Sequence, residues 1–322
     1  MDGPVPQRDS SRMSGVIDMD IILNLTRRCN LRCYRCPVEK TEATMTWDTV
    51  VRALRFAEGA ESPSVSFYGG EPTIESKLML TAMDKALLEL DRPRFGFTTN
   101  GMFLGRGLLL DLAGYPVSIA LSHNGTRQAS TRGMPLEADR AARLLLDFFP
   151  ESTAMCTYWP RDVSSLEADV VHLTGLGFKR ISLNPDLKVG SWDIGQLEQA
   201  LLNILKDNGN IEFPGLQRGF VREACGSKDL FVDVDGTLYR CIAHPENRSY
   251  SIGDVFTGIR DDLNDDLNKR CATIPERCIC CPVSATCGMR CSCVRILSTG
   301  GLTDVSDSVC EYEKMMYRIR RR

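Results

Sequence analysis

Between Ile17 and Lys206 a short run of β-forming residues gives way six times to a segment with apolar residues at helical spacing, and few folds accommodate that pattern. The strand-like runs are Ile17–Leu25, Val65–Tyr68, Arg94–Thr98, Pro116–Leu121, Thr153–Tyr158 and Lys179–Leu183. Helical segments follow at Thr46–Gly59, Glu75–Asp91, Leu104–Ala113 and Pro135–Phe149, the last with its proline suited to a first turn. The capping box Ser164-x-x-Glu167 opens the fifth helix, and Trp192–Lys206 is the sixth. Regular βα alternation calls for an α/β fold with a parallel sheet and right-handed crossovers. Six units are too few to close an eight-stranded barrel. In such sheets ligands collect at the carboxyl ends of the strands, so the residues just past each strand carry the functional argument.

The first strand is followed by Cys29-Asn-Leu-Arg-Cys33-Tyr-Arg-Cys36, three thiols that one short loop can aim at a common point. Thiolates are soft ligands suited to zinc or to an iron–sulfur cluster. Structural zinc wants four closed ligands, so a zinc knuckle would have to borrow one. A [4Fe–4S] cluster on three cysteines instead keeps one iron open. The second strand runs into Gly69-Gly70-Glu71-Pro72. That stretch is either an ordinary turn or a close backbone approach to a ligand, beside a carboxylate able to accept from an ammonium group. Asn100 ends the third strand; Ser122 ends the fourth within Leu-Ser-His-Asn-Gly, and Arg132 comes shortly after.

With these elements in this order the chain resembles the radical S-adenosylmethionine (SAM) superfamily. The resemblance implies a partial (β/α)6 TIM-like barrel and a [4Fe–4S] cluster on Cys29, Cys33 and Cys36, with SAM bound to the open iron. One electron then cleaves SAM to methionine and a 5′-deoxyadenosyl radical. It further implies that Gly69, Gly70 and Glu71 meet the methionine amino group and that Asn100 belongs to the same SAM-binding set. Ser122 and Arg132 would hold the ribose or carboxylate of SAM. Family members usually carry an aromatic residue before the third cysteine, against adenine. Arg35 stands there in this chain, so Tyr34, one place earlier, is the candidate for that contact.

Cysteines become dense after residue 213. Phe231–Cys241 reads as a hairpin about a two-residue Asp235-Gly236 turn, with Cys225 before it and Cys241 closing it. Cys278, Cys281, Cys287 and Cys291 follow at C-x2-C-x5-C-x3-C, and Cys310 lies beyond a gap. C-x2-C pairs also suit a zinc ribbon. The whole layout, with Gly236 and Cys241 as G-x4-C, resembles the SPASM extension of radical SAM enzymes. That resemblance implies a small cysteine-rich domain with two auxiliary [4Fe–4S] clusters, three clusters in all. The outer one would rest on Cys278, Cys281, Cys287 and Cys310, the inner on Cys225, Cys241 and Cys291. The chain then divides into a flexible N-terminal segment (1–16), the radical SAM barrel (17–213) and the SPASM domain (214–322). Cys156, Cys271, Cys280 and Cys293 fall outside the layout, and such cysteines are ordinarily small buried hydrophobes. Cys271, between the hairpin and the C-x2-C run, and Cys156, on the fifth strand, are nevertheless the candidate catalytic thiols for returning a hydrogen atom to a substrate radical.

Composition narrows the partners. A net charge of −3 on 322 residues offers no basis for nucleic-acid binding, and the arginines near residue 320 suit a solvated helix end. Residues 1–16 are polar, with Pro4 and Pro6 and no apolar signal region, and no stretch is long and apolar enough to span a bilayer. Fourteen cysteines without an export signal favour metal or redox chemistry in the cytoplasm over a disulfide framework. The three histidines, His123, His172 and His244, show no metal-binding or triad-like spacing. The resemblance therefore implies an oxidoreductase or maturase that draws electrons from a flavodoxin or ferredoxin. It would abstract hydrogen from a peptide or protein for oxidation, cross-linking or epimerisation. Two features keep a small carbohydrate-like or antibiotic-precursor substrate open, with dehydrogenation or epimerisation as the outcome. Only about 16 residues precede the first strand, little room for a leader-binding domain. Ile242 also stands where sulfatase-maturing relatives carry aspartate. A non-catalytic zinc- or cluster-binding interaction protein is the reading from another class.

Overall fold

All six expected strands form, in chain order and all parallel: β1 (Asp20–Thr26), β2 (Ser64–Gly69), β3 (Arg94–Thr99), β4 (Val117–Ser122), β5 (Thr153–Tyr158) and β6 (Arg180–Pro185). The structure is a computed structural model that describes residues 20–186, 191–213, 229–284, 286–287 and 291–321. The N-terminal segment 1–16, the expected start of the first strand and Cys225 lie outside the described residues. Between and after the strands run α1 (Trp47–Leu54), α2 (Ser76–Glu89), α3 (Arg106–Leu112), the single turn α4 (Gln128–Thr131), α5 (Pro135–Phe148), α6 (Leu166–Leu176) and α7 (Ile194–Asp207). The result is an α/β fold with an open, barrel-like parallel sheet.

Parallel strands covered on both faces read as continuous apolar runs, but these alternate. In β2, Val65 and Phe67 are buried while Ser64, Ser66 and Tyr68 are half-buried; in β5, Ala154, Cys156 and Tyr158 are buried while Thr153, Met155 and Thr157 are half-buried. The buried set packs under the helices, against stripes such as Met79, Ala82, Met83 and Ala86 of α2 or Leu197, Ala200, Leu201 and Ile204 of α7. Emptying one of these sites, as in Leu201→Ala, costs about 2–5 kcal/mol. The other face carries mostly small polar residues (Ser64, Ser66, Thr153, Thr157) because it fronts an open interior rather than a second helical layer.

The sheet does not end with β6. Strand β7 (Asp229–Val232) pairs in parallel with β1, Ile22 opposite Phe231, and β8 (Thr237–Tyr239), β9 (Gly253–Asp254) and β10 (Gly258–Ile259) extend it antiparallel. The ten strands lie in the order β10-β9-β8-β7-β1-β2-β3-β4-β5-β6, so the hairpin of the cysteine-rich region is hydrogen-bonded to the barrel. Its turn differs from the expected two-residue type. Gly236 N–H donates to Asp233 O, Asp233 N–H donates to Thr237 O, and Gly236 alone is left-handed (φ +89°). This is a longer loop ending in a glycine bulge. The expected capping box at Ser164 is also absent: Ser165 occupies the N-cap of α6 without a side-chain bond. A 3-10 turn over Pro160–Ser165 precedes the helix, and the Asp162 carboxylate accepts from Trp159 N–H at 3.1 Å. Asp162 wins because the buried Arg127 guanidinium also holds it, at 2.8 Å.

Among the described residues four helices follow: α8 (Asp261–Ala272), α9 (Glu276–Ile279), α10 (Ser292–Thr299) and α11 (Asp307–Arg320). Arg295 of α10 is 1% exposed and donates to the carbonyls of Thr273 and Cys271 at the end of α8. Pro275 lacks an N–H and cannot cap that end, so the guanidinium meets the carbonyls and the negative dipole instead. α11 buries Val309, Tyr312, Met315, Met316 and Ile319 and packs beside α7, where Arg318 pairs with Glu198.

Candidate active site

The loop after β1 projects its three cysteines into a cavity of about 1050 Å³ at the carboxyl ends of the parallel strands. Cys29, Cys33, Cys36, Tyr34, Gly70, Glu71, Asn100, Ser122 and Arg132 all line it; Gly69 stands immediately behind. The loop is pinned at three points. Arg27 N–H donates to Ala43 O (2.9 Å), Tyr34 N–H to Thr131 O (2.7 Å) and Lys40 Nζ to Leu31 O (2.5 Å). Three donors face its sulfurs: Leu31 N–H (3.5 Å) and Asn100 Nδ2 (4.0 Å) toward Cys29, and an Arg132 guanidinium nitrogen (3.9 Å) toward Cys33. Burial pushes the Cys29 thiol above its ordinary value, against the pull of Leu31 N–H and Lys40. Loading a metal there must therefore displace a proton.

These thiols fit a cluster better than zinc. Sulfurs on a tetrahedral zinc lie about 3.8 Å apart, given Zn–S bonds of about 2.3 Å. Among the described residues only one trio of possible ligand atoms lies within 4.8 Å of one another, and it contains no cysteine. The cysteine loop is spread wider than a closed zinc site, and cationic and N–H donors face its sulfurs, as anionic thiolates and sulfides require.

The Gly-Gly-Glu stretch also makes close contacts within the protein. Gly70 N–H donates to Thr26 O and Glu71 N–H to Arg28 O, so the chain passes tightly beneath the exit of β1. A Cβ on Gly70 would lie 2.3 Å from Arg28 O, and one on Gly69 (φ +158°) 2.5 Å from Thr26 O. The glycines thus admit the backbone that carries Cys29. Glu71 is 1% exposed. Its Oε1 accepts from Thr73 N–H, the Thr73 hydroxyl and the Thr99 hydroxyl, and its Oε2 from Asn100 N–H at 2.7 Å. Burial holds the carboxyl above its ordinary range although these bonds pull it down. Glu71 is foremost a buried brace that sets the β2 and β3 exits, with one Oε2 lone pair left over.

A second brace holds the loop after β4. Arg127 donates to Asp169 (2.6 Å) and Asp162 (2.8 Å), all three buried, and Gly125 packs so closely on α6 that a Cβ would lie 2.5 Å from the Asp169 Cα. Asn124 Oδ1 accepts from Thr157 N–H, and its Nδ2 donates to Thr131. That framework aims Arg132 at the cysteine loop. Nearby, Tyr34 and Trp159 meet edge to face at 5.2 Å, and the Arg161 guanidinium lies 4.3 Å from the Tyr34 ring centre. Trp159 Nε1 and Arg35 both donate to Asp186. Arg35 is left-handed (φ +52°), which turns it out to Asp186. Asn184, Ile242, Pro245, Leu297 and one face of α11 (Tyr312, Glu313, Met316, Arg320) close the cavity.

The two candidate hydrogen-donor thiols are not brought to it. Strand alternation turns Cys156 to the helix-covered face, where it is fully buried near Arg127 and its thiol is pushed up to about 12, chiefly by desolvation. Thr157, its neighbour, lines the cavity instead. Cys271 lies on the buried side of α8, 4% exposed, and is not among the lining residues. Sequence spacing also missed the trio His123, Asp139 and His172, whose two Nε2 atoms each lie 2.9 Å from Asp139 Oδ1. His123 Nδ1 accepts from Gly125 N–H, which leaves its proton on Nε2 and makes the trio a hydrogen-bonded staple rather than a metal site. Of the cysteines beyond 229, Cys278, Cys281, Cys287, Cys291, Cys310 and Cys241 are part-exposed thiols and Cys280 is exposed.

Comparison with known proteins matches residues 23–157 to the radical SAM superfamily. The chain is 35% identical over 94 residues to molybdenum cofactor biosynthesis protein 1 of Drosophila melanogaster, covering 27% of this chain and 16% of that one. It is 30% identical over 141 residues to GTP 3′,8-cyclase of Synechococcus sp. (strain CC9605), 39% of this chain and 41% of the cyclase. It thus spans less than half the length of these curated relatives. Among solved structures, anSMEcpe with bound AdoMet superposes with a TM-score of 0.77 at 18% identity, covering 94% of this chain and 93% of that one. SuiB of Streptococcus suis bound to the precursor peptide SuiA gives 0.67 at 17% identity, covering 92% and 76%. No helix among the described residues is long and apolar enough to cross a membrane.

Proposed function

Because the chain carries a radical SAM domain followed by a cysteine-rich region, we propose that it cleaves SAM reductively and oxidises a peptide or protein segment by hydrogen abstraction. Cys29, Cys33 and Cys36 would hold the [4Fe–4S] cluster, with Cys278, Cys281, Cys287 and Cys310 holding an outer and Cys225, Cys241 and Cys291 an inner auxiliary cluster. When bound, the first cluster supplies the electron that splits SAM into methionine and the hydrogen-abstracting 5′-deoxyadenosyl radical. The observation that carries the reading is the convergence of three thiols, Arg132 and the face of α11 on one cavity. Its size slightly exceeds what one small ligand usually takes, leaving room for SAM and part of a substrate.

Each wall has a task. Arg132, braced through the Arg127 network, offers a cation to the SAM carboxylate; Ser122 and Asn100 offer hydrogen bonds beside it. Tyr34 and Trp159 form an aromatic corner for adenine, with Trp159 held rigid by Asp186. Polar groups on Arg27, Glu39, Asp186, Glu313 and Arg320 receive the substrate. The peptide reading draws on the fold shared with anSMEcpe, also solved with a Kp18Cys peptide, and with peptide-bound SuiB. Electrons would come from a flavodoxin or ferredoxin. Neither candidate donor thiol, Cys156 or Cys271, is among the residues lining the cavity, which favours loss of the substrate radical's electron to an auxiliary cluster over hydrogen return by these two.

A nucleotide or other small-molecule substrate is the second reading, favoured by the 30% identity to a GTP 3′,8-cyclase over 39% of this chain. Anaerobically reconstituted protein should form 5′-deoxyadenosine from SAM and dithionite, and the Cys29→Ala/Cys33→Ala/Cys36→Ala variant should form none. Undiminished 5′-deoxyadenosine in that variant would overturn the assignment. Candidate peptides encoded nearby should yield a product two mass units lighter; turnover of nucleotides alone would select the second reading.

A further inference from the structure

The proposed outer-cluster cysteines come from two separate segments, Cys278 and Cys281 around α9 and Cys310 on α11, and one side chain ties those segments together. Arg277, next to Cys278, makes three donor contacts to α11 and the residues just before it. One terminal nitrogen donates to Asp307 Oδ1 at 2.5 Å; the other donates to Val305 O and lies 3.6 Å from Cys310 Sγ. Cys287 packs against the apolar pair Val294 and Val309, the latter adjoining Cys310.

We infer that Arg277 is the positioning and tuning residue of the outer auxiliary cluster, an inference that rests on the two-cluster reading above. Hydrogen bonds to coordinating sulfur and nearby positive charge raise a cluster's reduction potential, because the reduced form carries one more negative charge. A planar fork can serve Asp307, Val305 O and Cys310 Sγ together; a lysine ammonium keeps the charge without that geometry. Arg277 therefore does two separable things. Its charge and N–H make the outer cluster a better electron acceptor, and its fork keeps the two ligand segments in register.

The test uses reconstituted full-length protein and EPR-monitored redox titration, with chelator-driven iron release from each sample. Cys310→Ala identifies which signal belongs to the outer cluster. Arg277→Gln should move that signal's midpoint to more negative potential while the other two stay in place, and should speed loss of its iron severalfold. Arg277→Lys should keep most of the midpoint and still lose iron faster. An outer-cluster midpoint unchanged in Arg277→Gln would overturn the inference while leaving the two-cluster reading intact. If wild type and Cys310→Ala contain the same iron and the same signals, both fall together.

Discussion

Replacing Glu71 by glutamine separates the two roles open to that residue. Both carboxylate oxygens accept a backbone N–H, Oε1 from Thr73 and Oε2 from Asn100. A glutamine has one carbonyl oxygen, so whichever way its amide turns, an NH2 group faces a backbone donor. The change removes a charge-assisted bond, about 1.5–3 kcal/mol, and leaves a buried donor unmet, about 1–3 kcal/mol. Relief of the desolvated charge, which already holds the carboxyl above its ordinary range, offsets part of this. A net loss of about 2–4 kcal/mol follows, enough to lower the melting temperature of the apo-protein by several degrees. The assay pairs an anaerobic melt of apo-protein with SAM affinity measured on reconstituted protein. SAM affinity should fall in step with the shifted Asn100 and cysteine loop. An unchanged melt with SAM binding weakened tenfold or more would refute the brace and restore direct ammonium recognition by Glu71.

Three further outcomes follow from the same geometry. Gly70→Ala puts a methyl 2.3 Å from a backbone oxygen that cannot retreat, and should cost about 2–3 kcal/mol and reduce iron bound at the first cluster in reconstitution assays. Arg127→Met strands Asp162 and Asp169 as buried carboxylates, so denaturation should show a loss of about 3–5 kcal/mol; the triple change with Asp162→Asn and Asp169→Asn should recover part of it. Burial pushes the Asp139 carboxyl up, but bonds from His172 and His123 and their charge bring it below its ordinary 3.8. A depressed carboxylate stabilises above its unfolded value and loses that contribution as pH falls through the folded one. The stability advantage of wild type over Asp139→Asn should therefore be full near neutrality and vanish in strongly acidic urea titrations.

The strands and most helices were legible because their patterns are local. Six β-forming runs spaced by amphipathic segments gave the parallel order directly, and Pro135 marked a helix start that the structure keeps. The cysteine loop was legible for the same reason: its spacing is contained in eight residues. What stayed hidden depends on pairs far apart in sequence. The capping box at Ser164 looked complete, yet Asp162 answers to Arg127, 35 residues away. The brace on Glu71 was invisible because its donors include Thr99 and Asn100, whose approach exists only once β2 and β3 are paired. Cys156 could have been assigned from sequence. The alternation in Thr-Ala-Met-Cys-Thr-Tyr puts Cys156 with Ala154 on one face and Thr157 with Met155 on the other, and the polar face is the one left open to a ligand.

Under the proposed function, substrate choice would be written mainly outside the region that matches the superfamily. That match ends at residue 157, whereas the wall facing the cysteine loop comes from Asn184, from Ile242 and Pro245, from α10 and from α11. α11 makes this wall depend on the cysteine-rich region in a physical sense. Cys310 sits in its first turn, and Tyr312, Glu313, Met316 and Arg320 line the cavity along the same helix, the last about 15 Å from Cys310 at 1.5 Å per residue. A rigid helix fixed at Cys310 and packed along α7 transmits the position of its first turn to every one of those side chains. Under the proposed reading, filling the outer site would then order the substrate wall as well as provide an electron acceptor. Removing Arg277 or Cys310 should disturb substrate binding more than SAM binding. The proposed SAM corner of Arg132, Tyr34 and Trp159 is braced independently by Arg127, Asp162 and Asp186, none of which belongs to the cysteine-rich region.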